Sequence, residues 1–175
     1  TKTVFEEAEQ AKSLSSHNIA GLYGTGDEGD LLLAAAEYIQ GNSVATTLAR
    51  NEGFSIWDLQ DIARQVCQAL DHAHGHKVVH QSLEPAKIMV QWDGLVKVLG
   101  FGISSMNATA APSDTVPEVM HYFSPEQLRG EALDHRSAIF SLGALLYEMA
   151  TEQKAFAGKT ADEVRTAILE GTPPL

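Results

Sequence analysis

His80-Gln81-Ser82-Leu83-Glu84-Pro85-Ala86-Lys87 decides how this chain is read, together with Gly100-Phe101-Gly102, which begins thirteen positions after Lys87, and Ser124-Pro125-Glu126 further on. The octapeptide lies between short apolar runs, Val78-Val79 before it and Ile88-Met89-Val90 directly after it. Such runs read as strands, which makes residues 80–87 a loop between strands. Leu95-Val96-Lys97-Val98 follows across the turn signal Trp92-Asp93-Gly94 and completes a hairpin. Upstream, Leu59, Ile62, Ala63, Val66, Cys67, Leu70 and Ala73 recur at three and four, so they predict a helix with that set as its apolar face. Ser55 with Asp58 predicts its capping box, and Thr160 with Glu163 caps a later helix. Ile139 to Tyr147 is apolar on most sides and predicts a helix buried inside a domain. The glycines of Gly21-Leu22-Tyr23-Gly24-Thr25-Gly26-Asp27-Glu28-Gly29 are spaced for a hairpin and not for a phosphate cradle.

In order and spacing these landmarks resemble the H-R-D-L-x-x-x-N, D-F-G and A-P-E motifs of eukaryotic-type Ser/Thr protein kinases in their bacterial style. The resemblance runs over nearly the whole chain. It implies an α+β, protein-kinase-like fold with a mostly helical C-lobe: one partial domain over 1–175, with 1–36 as an N-lobe remnant, 37–41 as the hinge and 42–175 as the C-lobe. It places His80, Phe101, Leu22 and Ala11 in the hydrophobic column that ties the lobes together. It makes Ala36, Glu37, Tyr38, Ile39 and Met89 the nucleotide-hinge candidates, with Ala36 at the gatekeeper position. Glu7 falls where the family's helix-C Glu pairs with a strand Lys that lies upstream of Thr1. A chain opening on Thr1 and stopping at Leu175 is therefore expected to be part of something longer. It stops before the family's last two helices, so Glu126 lacks the Arg that it pairs with in the family.

At the positions that carry chemistry the residues differ from the family's. Ser82 stands at the catalytic base, and its hydroxyl cannot take a proton from an alcohol near neutral pH as a carboxylate can. Lys87 and Gly100 stand at the two magnesium ligands, and neither supplies a hard oxygen. Glu84 replaces a Lys that neutralises the transferring phosphate, which sets a negative charge against developing negative charge. Glu84 and Lys87, three residues apart, are expected to pair with each other. Gln81 replaces the Arg that grips an activation-loop phosphate, so phosphorylation of Ser104, Ser105, Thr109, Ser113 or Thr115 would lack its docking partner. Ala138 replaces the Asp that braces the catalytic loop, and Glu118-Val119 stands where a Gly-Thr precedes the substrate loop. Residues 103–118, rich in Ser, Thr, Ala and Pro, read as the activation-loop equivalent.

Composition excludes several other classes. The 175 residues, 44% hydrophobic and 20% charged, suit a single globular domain. A net charge of −11 argues against nucleic acid and acidic membranes as partners. The lone Cys67 leaves no disulfide framework, and no apolar run approaches a membrane span, so a cytoplasmic setting is expected.

The expectation is thus a catalytically inactive pseudokinase domain that acts as a protein-interaction, scaffolding or regulatory module. Neither ATP, magnesium nor any other metal is expected to be used. A protein partner, a larger assembly or a homo-oligomer would cover apolar faces left by the missing elements. Two alternatives remain open: a nucleotide-binding sensor without phosphotransfer, and an active kinase whose catalytic groups are relocated to Lys87 and Glu84. His72 and His76 have the spacing of a zinc pair but no evident third ligand.

Overall fold

The computed structural model describes residues 2–29, 31–103 and 116–174. Helix α1 (Lys2–Lys12) leads into a hairpin of β1 (Leu22–Glu28) and β2 (Leu31–Ala36), antiparallel with an irregularity between Leu22 and Gly24. Residues 37–40 link it to β3 (Gly41–Ser43), which pairs antiparallel with β4 (Ile88–Gln91), and β4 in turn with β5 (Val96–Val98). Helices α2 (Val44–Ala49), α3 (Ile56–Gly75), α4 (Pro125–Arg129), α5 (His135–Thr151) and α6 (Ala161–Glu170) make up most of the rest. This is the mixed α+β architecture, helical in its second half, that the sequence implies.

The expected hairpin, helices and caps form. Ser55 Oγ accepts from Asp58 N while Asp58 accepts from Ser55 N, which closes the capping box of α3. Thr160 Oγ1 accepts from Glu163 N at the start of α6. Trp92-Asp93-Gly94 turns β4 into β5, with Gln91 N donating to Leu95 O.

Three local expectations are corrected. Val78 and Val79 are not a strand. Lys77 takes a left-handed φ of 61°, and Lys77 N and Val78 N donate to His74 O and Ala73 O, a helix-ending motif that tucks Val78 into the core. The buried side of α3 is Ile62, Gln65, Val66, Ala69 and Ala73, while Cys67 is exposed. The reason is Gln65. Its Oε1 accepts from Asn18 Nδ2 and Val96 N, and its Nε2 donates to Gly94 O and Asp61. A polar side chain satisfied this fully is at home inside, and it turns the helix away from the face that a count of apolar residues selects. Third, α5 buries Ala138, Leu142, Ala144, Leu145 and Met149 but presents Ile139 to solvent, 56% exposed.

The core runs between the sheet and the long helices: Val44, Val66, Leu83, Ile88, Val96, Val98 and Leu145 are each at most 1% exposed. Leu83 is the apolar anchor of the 80–87 loop. Asn18 stitches the segment before β1 to the same core through Val96 O, and Ala20 N and Val98 N bond across to Val98 O and Asn18 O. The activation-loop expectation for Ser104, Ser105, Thr109, Ser113 and Thr115 falls outside the described residues.

Candidate functional site

The 80–87 loop is pinned at both ends. His80 is 2% exposed; its Nε2 sits 2.8 Å from Leu99 O, and its Nδ1 accepts from Ser82 N at 3.4 Å. That arrangement calls for a neutral ring with Nε2 protonated. Burial, assisted by the nearby Lys87 charge and opposed by the Leu99 hydrogen bond, holds the ring's pKa down to about 4. Phe101 meets His80 edge-on at 4.6 Å. Ala11 and Phe101 belong to one buried cluster, with Leu22 packed against it, so the residues assigned to the column do share one core.

Gly102 explains how α1 docks there. Its φ is +72°, and a Cβ at this position would lie 2.4 Å from Ala11 Cβ and 2.6 Å from Glu7 O. Only glycine meets both the backbone conformation and the close helix approach. Beside it, Gln81 Nε2 lies 3.5 Å from Glu7 Oε1, and Gln81 O accepts from Gln127 Nε2. The residue in place of an arginine thus ties the loop to α1 through the Glu7 carboxylate and to α4 through the Gln127 amide. Glu7, Gln10, Lys77, Gln81 and Gly102 line a polar cavity of about 190 Å³ there.

Lys87 and His80 meet at Gly100. Its φ is +94°, and a Cβ built on it would stand 3.4 Å from Lys87 Cδ, 3.6 Å from Lys87 Cε and 3.7 Å from His80 Nε2. The Lys87 stem therefore covers the face of Gly100. Glu84 and Lys87 do not close into the expected ion pair: no described carboxylate lies within 4 Å of the Lys87 ammonium. The lysine stem lies along Gly100 instead. Glu84 is half-buried, and burial with the Glu118 charge raises its pKa against the pull of Lys87 and Lys154. Ser82 Oγ is sealed from solvent without a hydrogen-bond partner. Ala138 is 3% exposed within the core, next to Ser137, whose hydroxyl is likewise buried and unpartnered. Glu126 Oε2 is also buried without a partner, on the residue for which an Arg was expected.

The hinge candidates separate. Ala36 is exposed at the end of β2, opposite Leu22; Tyr38 is 85% exposed; Ile39 is 6% exposed, inside the core. Glu37 is occupied internally. Its carboxylate accepts from Gly21 N at 3.0 Å and pairs with Lys97 at 2.9 Å. Burial acts to raise its pKa, but these two partners outweigh it and hold the carboxyl below its usual value. Met89 is half-buried and sits opposite Lys97 in the sheet.

The sequence reading passed over one cluster. Tyr122, 1% exposed, donates to Glu148 Oε2, and Lys154 Nζ reaches Tyr122 Oη at 2.6 Å, Glu148 at 2.7 Å and Glu118. Burial and the Glu148 hydrogen bond push the Tyr122 phenol well up. A cavity of about 100 Å³ lies between this cluster, Glu84 and α2. The signal was a glutamate inside Leu145-Leu146-Tyr147-Glu148-Met149, since a charge on a buried helix calls for a partner.

His72 and His76 stack with centroids 4.5 Å apart, but His76 Nδ1 bonds the carbonyl of His72. Among the described residues no three His, Cys, Asp or Glu side chains group to hold a metal. No described helix is long and apolar enough to cross a membrane.

A family model described as "Protein kinase domain" matches residues 1–173. The chain is 31% identical over 170 residues to "Serine/threonine-protein kinase PrkC" of Bacillus subtilis, which takes in 96% of this chain and 26% of that protein. It is 34% identical over 160 residues to "Serine/threonine-protein kinase PknB" of Mycolicibacterium smegmatis, covering 87% of this chain and 26% of that protein. A further match is "Probable serine/threonine-protein kinase CA_C1728" of Clostridium acetobutylicum, 35% identical over 147 residues, with 83% and 22% covered. The chain spans about a quarter of the length of these relatives.

Proposed function

Because this chain belongs to the protein kinase domain family, we propose its function from what the family's chemical positions have become: a catalytically silent member that works through its surfaces. One observation carries the reading. The positions of the base and both metal ligands hold Ser82, Lys87 and Gly100, and the Lys87 stem lies across the Gly100 face. No carboxylate is there to accept a substrate proton, and an ammonium opposes a divalent cation where oxygen ligands are needed. The loop around these positions is nevertheless well held by His80, Leu83 and Gln81, which fits selection for the scaffold.

Apolar surface supports a partner. Tyr23, Leu31 and Leu33 on the β1–β2 hairpin are 70%, 65% and 49% exposed. On the other half, Cys67, Leu70, His74, His135 and Ile139 line an apolar notch of about 160 Å³. The proposed role is a protein-interaction or regulatory module in the cytoplasm, in a larger assembly or as a homo-oligomer.

The relatives' printed names favour a second reading, an active kinase, in which Lys87 and Glu84 would have to serve. A third is a nucleotide sensor without transfer. Thermal-shift titration with ATP, with magnesium and with chelator, plus a transfer assay on a generic protein substrate, separates them. The proposal expects no phosphate transfer under any condition and no magnesium-dependent shift. Transfer that Lys87→Met or Glu84→Gln abolishes would overturn it. Light scattering that finds only a monomer, with the exposed hairpin unprotected from hydrogen exchange, would count against self-assembly.

A further inference from the structure

We propose that the face of α3 beside the β4–β5 turn is a docking surface for a lysine- and arginine-bearing segment of another protein, anchored by Trp57 and Trp92. The surface lies outside the 80–87 loop and is available whether or not the chain transfers phosphate.

The chain holds two tryptophans, and both are open to water: Trp57 is 76% and Trp92 75% exposed. Tryptophan is highly buried on average and concentrated where partners bind, so two such side chains left in solvent call for an explanation. Their placement supplies one. Asp61, Arg64 and Gln68 of α3 and Asp93 and Gly94 of the turn line one open cleft of about 440 Å³. Trp57 falls on the same helical face as Asp61, Arg64 and Gln68, one turn before Asp61, so it continues that wall of the cleft. Trp92 directly precedes Asp93 on the opposite wall. Gln65 Nε2 ties the walls together by donating to both Asp61 and Gly94 O.

The cleft is held in shape before anything binds. Gly94 turns at a φ of +86°, Gly94 N donates to Gln91 O, and Asp93 Oδ1 accepts from Leu95 N, which fixes the tip that carries Trp92. Arg64 is committed within its own helix to Asp61 and Gln68. Asp93 has no ion-pair partner among the described residues. Charge selects the occupant. Indole faces attract ammonium and guanidinium groups, and a carboxylate does the same. The chain's net charge of −11 steers a basic partner inward and repels a second copy. A cleft this open suits side chains laid along it and not an enclosed small molecule.

The two tryptophans are also the reporters, because the chain has no others. Titration with octa-arginine, and with octa-glutamate as the opposite charge, is followed by tryptophan fluorescence and calorimetry at low and high salt. Octa-arginine is expected to bind, to shift the emission to shorter wavelength and to bind more weakly in high salt, while octa-glutamate does not bind. Trp57→Ala and Trp92→Ala, each leaving one reporter, should weaken binding about fivefold. Asp93→Asn keeps an acceptor for Leu95 N, so the turn holds, and should weaken binding about threefold. Glu170→Gln on α6 removes the same charge elsewhere and should change nothing. Absence of octa-arginine binding overturns the proposal. Calorimetric binding without a change in emission overturns it too, because the peptide then sits elsewhere on an acidic surface. So do equal losses in Glu170→Gln and Asp93→Asn, and so does emission that shifts with the chain's own concentration, which would assign the cleft to a second copy.

Discussion

Lys154→Met tests a charged cluster that is built into the interior. Lys154 Nζ serves Glu148, Tyr122 Oη and Glu118 at once and lies 4.9 Å from the Tyr122 ring centroid. The side chains of Lys154 and Glu148 are 23% and 10% exposed. Methionine keeps much of the stem's packing and removes only the cation. Removing one partner of a fully buried pair costs about 3–5 kcal/mol. Lys154 retains some water contact and Tyr122 still donates to Glu148, so about 2–3 kcal/mol is expected here. For a chain of this size each kcal/mol moves the midpoint by about 2–4 °C, giving a fall of roughly 4–12 °C. Urea unfolding of wild type, Lys154→Met, Glu148→Gln and the double variant completes a cycle. The double variant should recover about 1–3 kcal/mol relative to additivity, because a neutral amide beside Tyr122 no longer needs the ammonium. Lys154→Met within about 0.5 kcal/mol of wild type, or strictly additive changes, would refute the account.

Gly102→Ala should destabilise by more than about 2 kcal/mol, because the new methyl meets Ala11 and the Glu7 carbonyl at a left-handed φ; Gly29→Ala, equally left-handed at +63° but with open space around it, should cost only about 1 kcal/mol. Thermal melts of the two variants compare strain with and without a clash, and equal losses would mean that α1 is not docked on Gly102. Acid titration tests His80. Its pKa is about 4 folded against an ordinary 6.5, so the unfolded state binds the proton first as pH falls. Its contribution is complete above pH 6.5 and is lost by about pH 4, worth about 3 kcal/mol over that window. Glu84, whose pKa is raised, works in the opposite direction, so the test is the difference between wild type and His80→Gln, whose stability should vary less across pH 6.5–4. Parallel curves for the two proteins would contradict the buried neutral ring.

The elements whose signals are local were legible in the residues themselves: the Ser55 and Thr160 caps, the Trp92-Asp93-Gly94 turn, and the hairpin spaced by Gly21 to Gly29. So was the order of landmarks that marks the kinase family, because a loop framed by His80, Leu83 and Pro85 keeps its spacing even where Ser82, Lys87 and Gly100 differ from the residues of the family's motifs. The buried side of α3 was not legible, since it depends on Gln65 finding Val96 N, Gly94 O and Asn18 at long sequence range. Nor was the cluster of Tyr122, Glu148 and Lys154, which three separated segments assemble. The same holds for Lys87, where spacing suggested a pair with Glu84 three residues away and the fold laid the stem over Gly100 instead. Residue identity by itself determined which groups are present to do chemistry, because a serine, a lysine and a glycine cannot become carboxylates in any fold. Only the tertiary structure decided which polar groups are satisfied and which are left open, because hydrogen bonds and ion pairs depend on distances in space that sequence separation does not set.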